Sequence, residues 1–410
     1  MTGPVGPVAA VFALGTAALA APTLATDQPL GMDQVRTLVR ERGPRLQLAR
    51  ARLAEAQAAR VGADSLSATN PALAASAGPR FFPNGNTAFD LAITLAWPFD
   101  LSGSPRQHAA VGDARIVAAE QELAETTLGA EFEALKSWVD ARAALERLDL
   151  ERARAAVDDE LLRVARVRRQ AGSVGDLDVA LATVVRGQGA SRLRRAEGEW
   201  TAARAVLLGR LGLPAESSVG VPRLGEPEPP LPRLEELLSR LECHPSRLRA
   251  AAQRALRESE VELQDRLATP VPRALVVGEH SPEWVVRGGV ELPLPFFQRN
   301  TTARAVARAQ DDTARTEEEV LERELSVTLR AEYARLAGAQ AAYAELETTA
   351  AAVNDAESLA GRAYELGQGT LPTLLAARRE AQDARAARLD AQWQRARARI
   401  ALDVAAGAFP

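Results

Sequence analysis

Residues 88–97 read AFDLAITLAW, and their alternation is strict. Phe89, Leu91, Ile93, Leu95 and Trp97 are large and apolar. Ala88, Asp90, Ala92, Thr94 and Ala96 between them are small or polar. A period of two over ten residues is the pattern of a strand with two different faces. The pattern returns 195 residues later: Trp284, Val286, Gly288, Val290 and Leu292 stand against Val285, Arg287, Gly289 and Glu291. Large apolar residues on one face and small or polar ones on the other, over about ten residues, meet the requirement of a membrane β-barrel strand. Both strands end in aromatic and proline clusters, Trp97-Pro98-Phe99 and Pro293 to Phe297, as a membrane–water girdle requires. A half-buried soluble sheet would show the same alternation, so the strands alone leave two readings open.

The offset extends well beyond the strands. Trp138 falls on Tyr333, Gly172 on Gly367, Leu207 on Leu402 and Gly212 on Gly407. A fixed long period means one supersecondary unit used twice. Upstream the offset is 201: Met32 to Gly62, interrupted by Gly43-Pro44, matches Leu234 to Leu267, interrupted by His244-Pro245. The change from 201 to 195 makes the first β-hairpin six residues longer than the second. Segments 72–82 and 274–279 are the hairpin partners, with turns at Asn84-Gly85-Asn86 and Ser281-Pro282.

The helices weigh against the soluble sheet. No proline occurs between Pro105 and Pro214, or between Pro295 and Pro372. Residues 106–171, if helical, span about 100 Å at 1.5 Å per residue, and 301–366 match them. In the second helix, Leu329, Leu336, Tyr343, Ala350 and Tyr364 recur in sevens, a loose coiled-coil seam broken by Glu357. Glycine-containing turns follow, Gly172-Ser173-Val174-Gly175 and Leu366-Gly367-Gln368-Gly369, and then second helices to Leu211 and Ala406. The organisation is a first repeat over 26–215, a proline-rich linker over 216–232, and a second repeat over 233–410. The long helical hairpins occupy 102–211 and 301–407.

Composition narrows the function. The chain has 410 residues, 47% apolar and 25% charged, with only 4% aromatic residues; alanine-rich helices of this kind approach one another closely. A net charge of −4 gives no electrostatic footprint for nucleic acid. The single cysteine, Cys243, excludes a disulfide framework. Val8 to Ala21 reads as the apolar core of a signal peptide over 1–25, with cuts possible after Ala20 or Ala25; a buried N-terminal tail is the other reading. No other stretch of 18 apolar residues exists, so a membrane crossing has to be made by strands. Cys243, His244, His108 and His280 are the metal-ligating candidates. Their places, an equatorial helix, a helix start and an external turn, do not converge as a metal site requires. No catalytic constellation or cofactor motif is present. Glu317-Glu318-Glu319 reads as a solvated helix face.

The order helix, strand pair, long helix, turn, helix, given twice, resembles the TolC-like outer-membrane factor family. Ala363-Tyr364-Glu365-Leu366-Gly367-Gln368-Gly369 is similar to that family's Tyr-x-x-Gly turn at the periplasmic tip. Gly289 to Asn300 resembles the strand-to-helix junction of its metal-efflux (CzcC/CusC-like) branch. The resemblance implies a mainly α protein with a small β part. It implies a homotrimer with a 12-stranded β-barrel, four strands from each chain, above a helical barrel. It implies a passive duct in the outer membrane of a Gram-negative bacterium, working with an RND-type inner-membrane pump and a periplasmic adaptor. Physics agrees on the oligomer, because four strands cannot close a barrel and open edges are not tolerated in lipid.

On this reading Phe89, Leu91, Ile93, Leu95, Trp97, Trp284, Val286, Val290 and Leu292 face lipid. The turns Gly172–Gly175 and Leu366–Gly369 meet the adaptor. The family places acids just beyond the second turn, where this chain has Thr373-Leu374-Leu375-Ala376. Asp176 and Asp178 beyond the first turn are therefore the constriction candidates, with helix capping as their alternative role. Rival functions are a duct of type I protein secretion and, in a different class, a periplasmic coiled-coil adaptor or scaffold.

Overall fold

A computed structural model describes residues 26–62, 70–217, 219–220, 230–280, 283–297 and 299–407. The expected signal peptide, the Ser281-Pro282 turn and most of the linker lie outside the described residues. The chain opens with β1 (Thr26–Pro29), α1 (Met32–Arg42) and α2 (Pro44–Arg60). Pro44 cannot continue α1 but suits the first turn of α2. Gly43 is needed at the joint because a Cβ there would lie 2.5 Å from the Val39 carbonyl oxygen.

The strands β2 (Ala72–Phe81) and β3 (Thr87–Pro98) follow, then the 67-residue α3 (Ser104–Gln170) and α4 (Asp176–Leu211). After β4 (Val219–Gly220) the series repeats as α5 (Leu234–Arg240), a 3-10 turn (Leu241–Cys243) and α6 (Pro245–Arg266). It continues with β5 (Arg273–His280), β6 (Trp284–Glu291), α7 (Thr301–Glu365) and α8 (Leu371–Ala405). The two offsets reappear as element starts: Pro44 and Pro245, Ala72 and Arg273, Asp176 and Leu371.

One antiparallel sheet has the order β2-β3-β5-β6, so both halves of the chain build it and its edges, β2 and β6, are unpaired. The parallel pair β1–β4 had no counterpart in the sequence reading; it ties the N-terminal segment to the linker between the repeats. Beneath the sheet, α3 packs with α2 and α6, and α6 with α7, giving the lateral order α2-α3-α6-α7. Further down, α4 packs on α3, α3 meets α8 and α8 packs on α7, giving α4-α3-α8-α7.

Four apolar clusters pin these layers. Near the sheet, Val111 and Ala118 of α3 meet Leu256 and Leu263 of α6. At the waist, Val35 and Val39 of α1 pack with Trp138 of α3, Leu211 of α4 and Trp393 of α8. On the other side of the waist Leu237, Leu329, Leu336 and Leu402 form a third cluster. Near the turns Leu161, Leu162, Tyr364, Leu371 and Leu374 form the fourth. Leu329, Leu336 and Tyr364 of the expected heptad row are thus buried. Glu318 departs from a wholly solvated Glu317–Glu319 face, because it reaches across to Arg254 of α6 at 3.2 Å.

Candidate functional site: the sheet wall and the hairpin tips

The strand register sorts the sheet into two chemically different faces. Asp90 sits opposite Gly78, Ala92 opposite Glu279 and Val277 opposite Arg287. Followed through all three pairings, the register puts Arg80, Asp90, Arg273, Glu279, Arg287 and Glu291 on one face. The same register puts Phe81, Phe89, Leu91, Ile93, Leu95, Trp97, Trp284, Val286 and Val290 on the other. The two alternating rows read from sequence, odd-numbered in β3 and even-numbered in β6, therefore share one face. Leu292 lies just past the end of β6 and is exposed. In the isolated chain Phe89 is 64% exposed, Trp284 63% and Val290 77%, a density of bare apolar surface that a water-facing sheet does not carry.

The charged face compensates itself. Arg80 pairs with Asp90 at 2.7 Å, Arg273 with Glu291 at 3.9 Å, and Arg287 with Glu279. Three arginines and three acids leave the face neutral but hydrophilic. His280 belongs to β5 rather than to a turn, a correction to the sequence reading. It lies on the apolar face, its ring edge-on to Trp284 with centroids 5.0 Å apart.

At the opposite end of the molecule the two hairpins turn by the same device. Gly172 has φ +71° and Gly367 φ +73°, the left-handed region that favours glycine. The Gly172 and Ser173 amides donate to the Arg169 and Arg168 carbonyls (3.0 and 2.9 Å). The Gly367 and Gln368 amides donate to those of Tyr364 and Ala363 (3.1 and 2.8 Å). These are Schellman closures, which satisfy the last helical carbonyls. Gly369 is fixed by space, since a Cβ would come within 3.3 Å of Ala363 and Tyr364. Thr370 then caps α8, its side chain accepting from the Thr373 amide. Leu366 stays 72% exposed at the tip.

The two tips are joined by a contact that sequence reasoning missed. The Arg168 guanidinium lies 4.4 Å from the centroid of the buried Tyr364 ring and donates to the Tyr364 and Glu365 carbonyls, each at 3.2 Å. The tyrosine of the Tyr-x-x-Gly turn thus serves as a platform for the first hairpin.

Asp176 and Asp178 occupy the first turn of α4, but neither is its N-cap. That position is Gly175, with no side-chain cap, so the capping alternative for Asp176 does not hold as stated. Asp176 instead pairs across the turn with Arg169 at 2.7 Å.

The metal-ligating candidates are far apart in role. His108 lies in α3. His244 is buried and caps α6, its Nδ1 accepting from the Ser246 amide at 3.1 Å and its Nε2 lying 3.3 Å from the Val404 carbonyl. Burial pushes its pKa below the usual value. Cys243 is exposed. Among the described residues no three His, Cys, Asp or Glu side chains are placed to hold a metal ion, and no helix is long and apolar enough to cross a membrane.

Residues 273–408, from the start of β5 through α8, match the family model of the outer membrane efflux proteins. The fold of the whole chain agrees. The outer-membrane channel OprN superposes with a TM-score of 0.78 at 20% identity, covering 92% of this chain and 90% of OprN. The CmeC outer membrane channel of Campylobacter jejuni gives 0.77 at 16% identity, over 92% and 85%. CusC, described as a transmembrane channel, gives 0.75 at 16% identity, over 92% of each chain. These scores do not favour the metal-efflux branch over the others. No curated protein matches by sequence. Residues 273–408 thus resemble the outer membrane efflux proteins, and the chain shares the fold of these solved outer-membrane channels. The solved neighbours are channels, not enzymes.

Proposed function

We propose that three copies of this chain close into a passive duct that carries solutes from the periplasm to the exterior. The observation that carries this reading is the two-faced sheet with both edges unpaired. Three sheets of four strands give twelve, with charged pairs lining water and aromatic and aliphatic side chains against lipid. The ten-residue β2 is about 33 Å long, or about 25 Å when tilted as barrel strands are, which suits the apolar band of an outer membrane. A soluble scaffold or adaptor offers no reason for such a face.

The adaptor and an RND-type pump are the partners this reading requires. The tip residues Gly172 to Gly175 and Leu366 to Gly369, most of them exposed, are where the adaptor meets the duct, since they lie at the end remote from the membrane. Asp176 and Asp178 ring the narrow mouth. Type I protein secretion would use the same duct with a different pump. The direct test is migration of the protein from an outer-membrane fraction: a trimer band that collapses to monomer on heating supports the duct, and a soluble monomer overturns it.

A further inference from the structure

The waist of the molecule buries a positive charge inside an apolar layer. Arg142 lies on α3 and is 3% exposed. Its neighbours Trp138, Val139 and Ala141, and Trp393 of α8, belong to the apolar cluster of the waist. Its guanidinium carbon stands 4.6 Å from the centroid of the Trp138 ring and 5.5 Å from that of Trp393. These contacts answer the flat faces of the group, because the π-face of a ring attracts a cation. They offer no acceptor to its N–H groups. Nε and Nη2 are both buried and, among the described residues, neither has a hydrogen-bond partner. These two nitrogens form one edge of the guanidinium, the fork that grips an anion side-on. Trp393 Nε1 is a further buried donor without an acceptor among the described residues.

We propose that the Nε–Nη2 edge of Arg142 holds a chloride ion, with the Trp393 indole N–H as a third donor. Arginine does not shed its proton in a protein, so its charge has to be met in place. Buried polar groups of native proteins have partners, and two orphaned donors on one edge mark an occupant. The nearby acids do not fill the edge. Glu131, a buried acid of the same layer, is taken by Arg36 at 3.4 Å and by Arg40. Glu146, one turn further along α3, attracts the guanidinium electrostatically but does not bond to this edge. An acid of a second copy does not reach it, because the edge is enclosed within a single chain. A water molecule would satisfy the N–H groups and leave the charge, which costs far more to bury than a neutral group. A phosphate or sulfate would bring several oxygens and a second charge into an apolar cluster. Chloride has one atom and one charge to satisfy. Held there, it is a strut where α3 of the first hairpin meets α8 of the second.

The test is the chloride dependence of stability, measured on the full chain in detergent at constant ionic strength with gluconate as the replacing anion. Melting temperature should rise as chloride replaces gluconate and then level off. The rise should reach about 3 °C once chloride stands a hundredfold above its dissociation constant. Arg142→Met keeps the length and the apolar contacts but removes the edge, and it should show no such rise. Trp393→Phe keeps a ring and loses the N–H, so it should need more chloride for the same rise; it serves where Arg142→Met does not fold. Crystals grown in bromide should show an anomalous peak beside Nε and Nη2 of Arg142. A melting temperature indifferent to chloride, an equal rise in Arg142→Met, or an edge that takes up water and no bromide overturns the site. None of these readings depends on trimer assembly, so the ion site and the duct stand or fall separately.

Discussion

His244 shows at residue scale how one buried side chain fixes a joint. Its ring accepts from the Ser246 amide on one side and sits against the Val404 carbonyl and Gly407 on the other. The donor and acceptor roles require a neutral ring, and burial lowers its pKa. The unfolded chain therefore takes up the proton first as pH falls below about 6.5, and the stabilisation from this joint fades from there down to the folded-state pKa. Melting temperature should drop more steeply below that pH in the native chain than in His244→Asn, which keeps the cap but cannot be protonated. Equal slopes would remove His244 from the account. On the sheet, Ile93→Arg should cost about 2–4 kcal/mol of membrane assembly, while Thr94→Arg, on the charged face, should cost much less. Assembly yields read from heat-modifiable bands test this, and equal losses on both faces would count against the barrel. The alternation of these residues was legible in the sequence. The stacking of Arg168 on Tyr364 and the enclosure of the Arg142 guanidinium between Trp138 and Trp393 were not, since each joins residues that only the folded hairpins bring together.

At the scale of elements the sequence was most legible where local chemistry sets the boundary. Proline-free runs marked the long helices, and glycine marked both turns because the left-handed φ excludes most side chains. Pairing was less legible. That β3 adds β5 as its neighbour, or that β1 finds β4 within the linker, depends on distant segments meeting, which no local pattern encodes. The helical face of α3 was hard to read for a related reason: its packing partner changes along its length, from α6 near the sheet to α8 lower down. The tips lend themselves to a direct test. Gly367→Val places a β-branched residue at φ +73°, at a cost of about 1–2 kcal/mol or more. Leu366→Asp removes the exposed apolar tip without touching the fold. Both variants should still assemble in the membrane, and both should lose export measured as solute sensitivity of cells. Normal export by either would mean the adaptor engages elsewhere.

At the scale of the whole molecule, the proposed duct has a neutral wall, so any preference for charge has to arise elsewhere. Within the four strands the arginines and acids cancel, so a barrel built from this sheet would give cations and anions no bias. The tips do not cancel in the same way. Asp176 is half answered by Arg169, an exposed pair that solvent weakens, whereas Asp178 has no ion-pair partner among the described residues. In the proposed trimer three chains would bring three copies of each carboxylate to one narrow mouth, and rings of acids favour cations. The first turn of α4 also welcomes acids through its free amide groups, so both aspartates contribute to the helix whatever the pore does. Asp178→Asn separates these roles, because it removes the unanswered charge and leaves Gly175 as the cap. Planar-bilayer conductance should then lose most of its cation selectivity, and Asp176→Asn should remove less, since Arg169 already offsets part of that charge. Selectivity unchanged in the double variant would leave the aspartates with a helix-terminal role only, and the constriction would have to lie among uncharged residues of the second tip.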